Sequence, residues 1–179
     1  VSFAGSDFES PEYVEVDDAG NIYLCGNFEG SLDFDPTGST NIQTATGGSD
    51  FFVCKLDPSG SVDWVRTWGG NGDERAYGVE LDAAGFIYIG GLFSDTVDFS
   101  TNMSIPEFRI SNGLLDVFIL KLNPVGGFDE AYTFGSSQND ILHSLSIDGQ
   151  GNMIVAGEFR DTVDFDPRTR CDFHSIKCG

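Results

Sequence analysis

Three carboxylates recur at one phase of this sequence: Glu9, Glu74 and Asp140, spaced 65 and 66 residues apart. On equivalent loops they would form a ring able to hold Ca²⁺ through oxygen ligands. The competing expectation is local, with each carboxylate accepting backbone N–H bonds in its own tight loop. Repetition favours the local role, because every copy needs the same turn. Other residues break the repeat. Arg75 follows Glu74, and His143 follows Asp140 by three positions, with Ser144 and Ser146 close behind. An Asp–His–Ser set suggests nucleophilic catalysis, which needs a base oriented by a third group. No nucleophile elbow surrounds it, so a polar strand start is the favoured expectation. Glu74, Arg75, Asp140 and His143 are accordingly candidate binding residues, and no catalytic residue is assigned. Arg109 and His174 also occur once each and are expected at the surface.

Two further acidic patterns need weighing. "DFDP" at 33–36 and 164–167 places two carboxylates on one side of an extended segment and Phe on the other. It invites a calcium reading, yet the second copy has Ser100 for the second Asp. The D-x-D-x-D-G loop of dedicated calcium sites is also absent. A solvated strand face is expected instead. Asp17, Asp82 and Asp148 each open a turn, where Asp bonds its own backbone two residues on. That role is structural.

The elements that must position these groups follow from the repeat. Gly20, Gly85 and Gly151 superpose, as do Gly26, Gly91 and Gly157, then Phe28, Phe93 and Phe159. Downstream, "DFFVCKLDPSG" (50–60) matches "DVFILKLNPVG" (116–126). Self-similarity at a period of tens of residues signals a repeat architecture. Within one period the signals are all β. "YGVEL" (77–81) and "IYIGGLF" (87–93) flank a Gly-containing turn, and "DVFILKL" (116–122) and "EAYTF" (130–134) flank another. "EFRIS" (107–111) is expected to add a fifth short strand. No apolar pattern repeats every 3.6 residues, so helix is not expected. A four-stranded antiparallel meander repeated head to tail is what β-propeller blades require, since one twisted sheet cannot cover both its faces. The predicted fold is all-β, a partial propeller of four-stranded blades. A β-solenoid and a sandwich are the alternatives.

The repeat phase predicts the last strand of a preceding blade over 1–11, blades over 12–76 and 77–142, and half a further blade over 143–179. Propellers close with about four to eight blades. Further sequence on both sides, or several chains sharing one ring, is therefore expected. In a propeller the d-to-a and b-to-c connections share the face at the channel mouth, where concave sites concentrate. "WGGNGDERA" (68–76) and "FGSSQNDIL" (134–142) belong to that face.

Charge and cysteines limit the partners. Twenty-nine acidic residues against nine basic ones give a net charge of −20. Such a surface opposes nucleic acid and anionic lipid, which are bound through Lys and Arg. The acidity suits solubility in a salty or extracellular medium, with a calcium-dependent surface as the alternative. No apolar run approaches the ~18 residues that span a bilayer, so membrane insertion is not expected. The cysteines, Cys25, Cys54, Cys171 and Cys178, lack C-x-x-C spacing, which argues against a compact zinc site. Their even number permits two disulfides. Cys171 can pair with Cys178 only if the chain folds back, because an extended strand would separate them by ~23 Å.

The order G-N-x-Y-x-x-G-x-F, x-V-D-F-D-P, G-x-S-D-x-F-V-x-K-L-D-x-x-G, then W and G-G, resembles the bacterial seven-bladed β-propeller repeat of large secreted and surface proteins. It is carried by Gly20–Phe28, Leu32–Pro36, Gly47–Gly60, Trp64 and Gly69–Gly70, and again by Gly85–Phe99 and Gly113–Gly126. Phe86 departs from the turn Asn, and Glu130 and Phe134 stand where the first copy has Trp64 and Trp68. The resemblance implies a secreted or cell-surface location and a fold, but no single activity. The expected function is a non-enzymatic binding or adhesion scaffold contacting protein or glycan through its channel-mouth loops. No cofactor is expected beyond that Ca²⁺. Alternatives are part of a propeller enzyme, a polysaccharide lyase or hydrolase with its catalytic groups mostly elsewhere, or a passive spacer.

Overall fold

The computed structural model describes residues 3–5, 7–102 and 104–165. A two-residue strand, β1 (Ala4–Gly5), precedes a first unit built of β2 (Glu9–Val16), β3 (Ile22–Phe28), β4 (Ser31–Asp33), β5 (Ile42–Thr44), β6 (Asp50–Leu56) and β7 (Val62–Trp68). The second unit repeats the plan with β8 (Arg75–Leu81), β9 (Ile87–Phe93), β10 (Thr96–Asp98), β11 (Phe108–Ile110), β12 (Asp116–Leu122) and β13 (Phe128–Phe134). A third begins with β14 (Ile141–Ile147) and β15 (Met153–Glu158). The sheets run β2-β3-β6-β7 and β8-β9-β12-β13, each an antiparallel meander, with β14-β15 as a two-stranded continuation. The fold is all-β, a partial propeller of four-stranded blades, and no helix occurs among the described residues.

The inner strands are apolar almost throughout because both their faces are covered. Alternation then assigns the side chains. Phe51 and Val53 of β6 share a core with Ile89, Phe93, Phe118 and Leu120 of the second sheet. Phe52, Cys54 and Leu56 face the other way, packing with Phe28, Leu32 and Phe34. On β12, Val117 and Ile119 meet Leu142 and Leu145 of the third unit. Each fully buried Phe stabilises this stack by about 2–3 kcal/mol relative to exposure. Side chains also cross between sheets. The Trp68 indole donates to the Phe99 carbonyl at 3.0 Å, and Arg66 Nε to the Gly126 carbonyl at 3.2 Å.

Turn chemistry repeats with the sequence. Asp17 Oδ1 accepts from the Ala19 and Asn21 amides, Asp82 Oδ1 from Ala84 and Phe86, and Asp148 Oδ1 from Gln150 and Asn152. The glycine closing each turn has φ of 84°, 82° and 82°, which a side chain would strain. Cys25 and Cys54 are buried free thiols on opposite faces of the first sheet, and burial pushes both up to about 12.

The strands over 87–93 and 116–122 match their expected limits. The segment expected as a fifth strand is β11, but it pairs with β10 in a separate hairpin and does not join the sheet. The first strands start earlier than the sequence indicates, at Glu9, Arg75 and Ile141. The expected blade limits at 12, 77 and 143 therefore fall inside β2, β8 and β14. A register shift in each leaves Glu12, Tyr77 and His143 as the extra residues of equivalent bulges, hiding the alternation there. β1 pairs with β4, Gly5 opposite Leu32. Its counterpart Gly70 lies so close to Thr96 of β10 that a Cβ would meet the Thr96 carbonyl at 2.4 Å. Cys171, Cys178 and His174 lie outside the described residues.

Candidate functional site at the loop face

The d-to-a loops pack against the b-to-c connections, as propeller topology requires. The Gly48 amide donates to the Gly72 carbonyl and the Glu74 amide to the Ser49 carbonyl. The Asp73 amide donates to Ser94 Oγ in the following unit. Each loop thus clasps the connections on both sides of a blade junction.

Glu74 and Asp140 sit at the centre of these junctions, both fully buried. Glu74 Oε2 accepts from the Gly70 amide at 2.7 Å, and the Ser94 amide also donates to this carboxyl. Asp140 Oδ2 accepts from Ser136 at 2.6 Å and Oδ1 from Arg160 at 2.7 Å. Ser94 and Arg160 are equivalent positions, each just beyond the second strand of its unit. Both carboxylates therefore do one job, tying their own loop to the next connection. Glu9 differs. It is exposed, with its carboxylate folded over Gly5. No cluster of three or more His, Cys, Asp or Glu able to hold a metal occurs among the described residues. Glu74 and Asp140 are each turned onto their own loop's backbone, and Glu9, the first residue of β2, lies over Gly5.

Sequence reasoning missed a second buried pair, Asp50 and Asp116, the first residues of β6 and β12. Asp50 accepts from the Thr46 amide at 3.0 Å, and Asp116 from Asn112 at 2.8 Å. Each presses on a glycine at the end of the neighbouring strand. A Cβ at Gly69 would come 2.0 Å from the Asp50 carboxyl carbon, and one at Gly135 2.0 Å from that of Asp116. The available signal was an Asp opening an otherwise apolar strand, with Gly-Gly or Gly-Ser closing the next one.

Burial pushes Asp50 up to about 6, against the Thr46 amide bond. Glu74 rises to about 7, driven by burial and by the charges of Asp50 and Asp73, against the Gly70 and Ser94 amides. Burial and the Asp140 charge also raise Asp116. Glu74 Oε1 and Asp116 Oδ1 are buried without a hydrogen-bond partner, which favours the neutral form further.

The repeat-breaking residues are placed differently. Arg75 is exposed at the start of β8. His143 is exposed on the β14 bulge, with Nε2 3.3 Å from Glu158 Oε1. Asp140 spends both oxygens on backbone amides, so Asp140, His143 and Ser144 do not assemble as a catalytic set. Arg109 pairs with Glu107 at 2.6 Å and donates to the Ala131 carbonyl. Asp33 of the first "DFDP" and its counterpart Asp98 are half-exposed, as expected of a strand face, but they also bind backbone. Asp33 Oδ1 accepts from the Asp35 and Asn41 amides, and Asp98 Oδ1 from Ser100 and Glu107, organising the insert loop while Phe34 and Phe99 are buried. No protein-family model matches this chain, and no curated protein matches its sequence.

Proposed function

We propose that this chain is a non-enzymatic propeller segment of a secreted or cell-surface bacterial protein, binding a protein or glycan through its loop face. Further blades, from the same chain or from an oligomer, complete the ring. One observation carries the reading: the loops divide into a buried repeated base and an exposed variable rim. Glu74 and Asp140 hold backbone at the two junctions between described units, while Asn71, Asp73, Arg75, Ser137 and Gln138 are exposed, at positions whose residue changes along the repeat. A fixed base with a changeable rim suits recognition.

The test uses the protein that contains this segment, with surface polysaccharides and extracellular proteins as probes. Arg75→Glu combined with Gln138→Ala is expected to weaken binding at least about tenfold without changing Tm. Unchanged binding overturns the loop-face assignment. If deleting a whole blade altered only reach, the segment would be a passive spacer. Cleavage products from a polysaccharide probe would point to the enzyme alternative.

A further inference from the structure

Among the described residues, the buried side-chain oxygens without a hydrogen-bond partner are Asn27 Oδ1, Ser49 Oγ, Glu74 Oε1 and Asp116 Oδ1. The first three belong to one junction, between the first and second blades. Asn27 stands opposite Phe51 and continues the side of β3 that Tyr23 and Cys25 turn to the second sheet. Ser49, two residues before Phe51, continues the side of β6 that carries Phe51 and Val53. Its carbonyl accepts from the Glu74 amide at 2.7 Å. Asn27 is 3% exposed, Ser49 1% and Glu74 0%, so bulk water does not satisfy these oxygens.

The next junction has other residues at all three positions. Leu92, Leu115 and Asp140 take the places of Asn27, Ser49 and Glu74. Leu92 and Leu115 pack in one apolar cluster, and both Asp140 oxygens accept from amides. The first junction therefore departs from the second at three neighbouring positions together, each time toward an oxygen that lacks a partner. Leaving one buried polar group unbonded costs about 1–3 kcal/mol, so three in one place point to a ligand. No basic side chain bonds to them, and Asp50 adds a negative charge that acts on Glu74. A water molecule would serve the oxygens but not the charge, whereas a cation serves both.

We propose that Asn27 Oδ1, Ser49 Oγ and Glu74 Oε1 form a Ca²⁺ site at the junction of the first two blades. The set is all hard oxygen, as Ca²⁺ requires, and waters complete the shell of about six to eight ligands. With few protein charges in the site, the expected Kd is about 0.1–1 mM, the range of extracellular calcium modules. This is not a ring built by repetition. One carboxylate takes part, joined by residues that break the repeat, and the second junction has no such site. Glu74 keeps its bond to the Gly70 amide through Oε2 while Oε1 faces the ion. The inference rests on the buried base of the loops and not on their exposed rim, so either reading can fail alone.

The test measures amide exchange by mass spectrometry on the protein that contains this segment, with EDTA and then with Ca²⁺ alone. About 5 mM Ca²⁺ should slow exchange at least about fivefold over 48–50 and 70–74, and leave 114–116 and 136–140 unchanged. The variant Asn27→Leu, Ser49→Leu, Glu74→Asp writes the second junction's residues into the first, and should abolish the response. If that variant fails to fold in EDTA, Glu74→Gln, which keeps an acceptor for the Gly70 amide, must abolish it instead. Absence of Ca²⁺-dependent protection, equal protection at both junctions, or a response that survives in these variants would overturn the proposal. The first of these results would assign the three oxygens to water.

Discussion

At the hairpin end of the blades, Asp57 and Asp148 stand in solvent-facing turns. The Ser59 hydroxyl and the Ser61 amide hold Asp57 below the usual carboxylate range, and the Asn152 side chain and amide do the same for Asp148. At the loop end, Asp50, Glu74 and Asp116 are buried and pushed upward. The same residue type serves two mechanisms. Where water reaches the turn, an ionised carboxylate organises amides around itself. Where sheets and loops close over it, the carboxyl keeps the same amides but favours its proton. The surrounding packing, more than the acid itself, decides which.

Four measurements break or sharpen this contrast. The largest effect is expected from one substitution made at both ends. Gly135→Ala drives a methyl into the Asp116 carboxyl and should cost about 3 kcal/mol, the upper end for overpacking, in urea denaturation. Gly151→Ala meets no atom within 4 Å and strains only its φ of 82°, costing about 1–2 kcal/mol. Equal losses would erase the distinction between crowded and open ends. Next, Glu74→Ala leaves the Gly70 and Ser94 amides short of an acceptor and should cost about 2–3 kcal/mol, while Glu74→Gln should retain most stability.

The third effect is pH dependence, and the two ends carry opposite signs. Raised groups stabilise fully below their unfolded values, and that contribution fades as pH climbs through about 6 for Asp50 and about 7 for Glu74. Lowered groups such as Asp57 stabilise above their unfolded value and lose it as pH falls through the folded one. Stability should therefore peak in mild acid. The drop from pH 5 to pH 8 is expected to be on the order of 1–3 kcal/mol, and smaller in Glu74→Gln. A flat profile would mean that the loop-end carboxyls stay ionised. The smallest effect belongs to Lys121→Met, which removes the 2.9 Å pair with Asp129 at the sheet surface. Less than about 1 kcal/mol is expected by thermal melting.

Much of this architecture was legible from residue order. The strands over 87–93 and 116–122 are bounded by turn residues and filled with branched and aromatic side chains, so their limits coincide with the structure. The first strands were harder, because Glu12, Tyr77 and His143 bulge out of register and interrupt the alternation. The β10–β11 hairpin is only three residues a side, too short to show a period. At the loop face, the local role of Glu74 and Asp140 was foreseeable from repetition. The burial of Asp50 and Asp116 was not, because it depends on glycines 19 residues further along, at 69 and 135, that reveal their purpose only in space.

Cys25 and Cys54 carry a practical consequence. Their thiols are too weakly acidic to form much thiolate at neutral pH, so an alkylating reagent reacts only after the interior has opened. One looks toward the following blade and the other away from it. Peptide mapping of which sulfur is modified first would give the order in which the two sides come apart, with no probe added to the molecule.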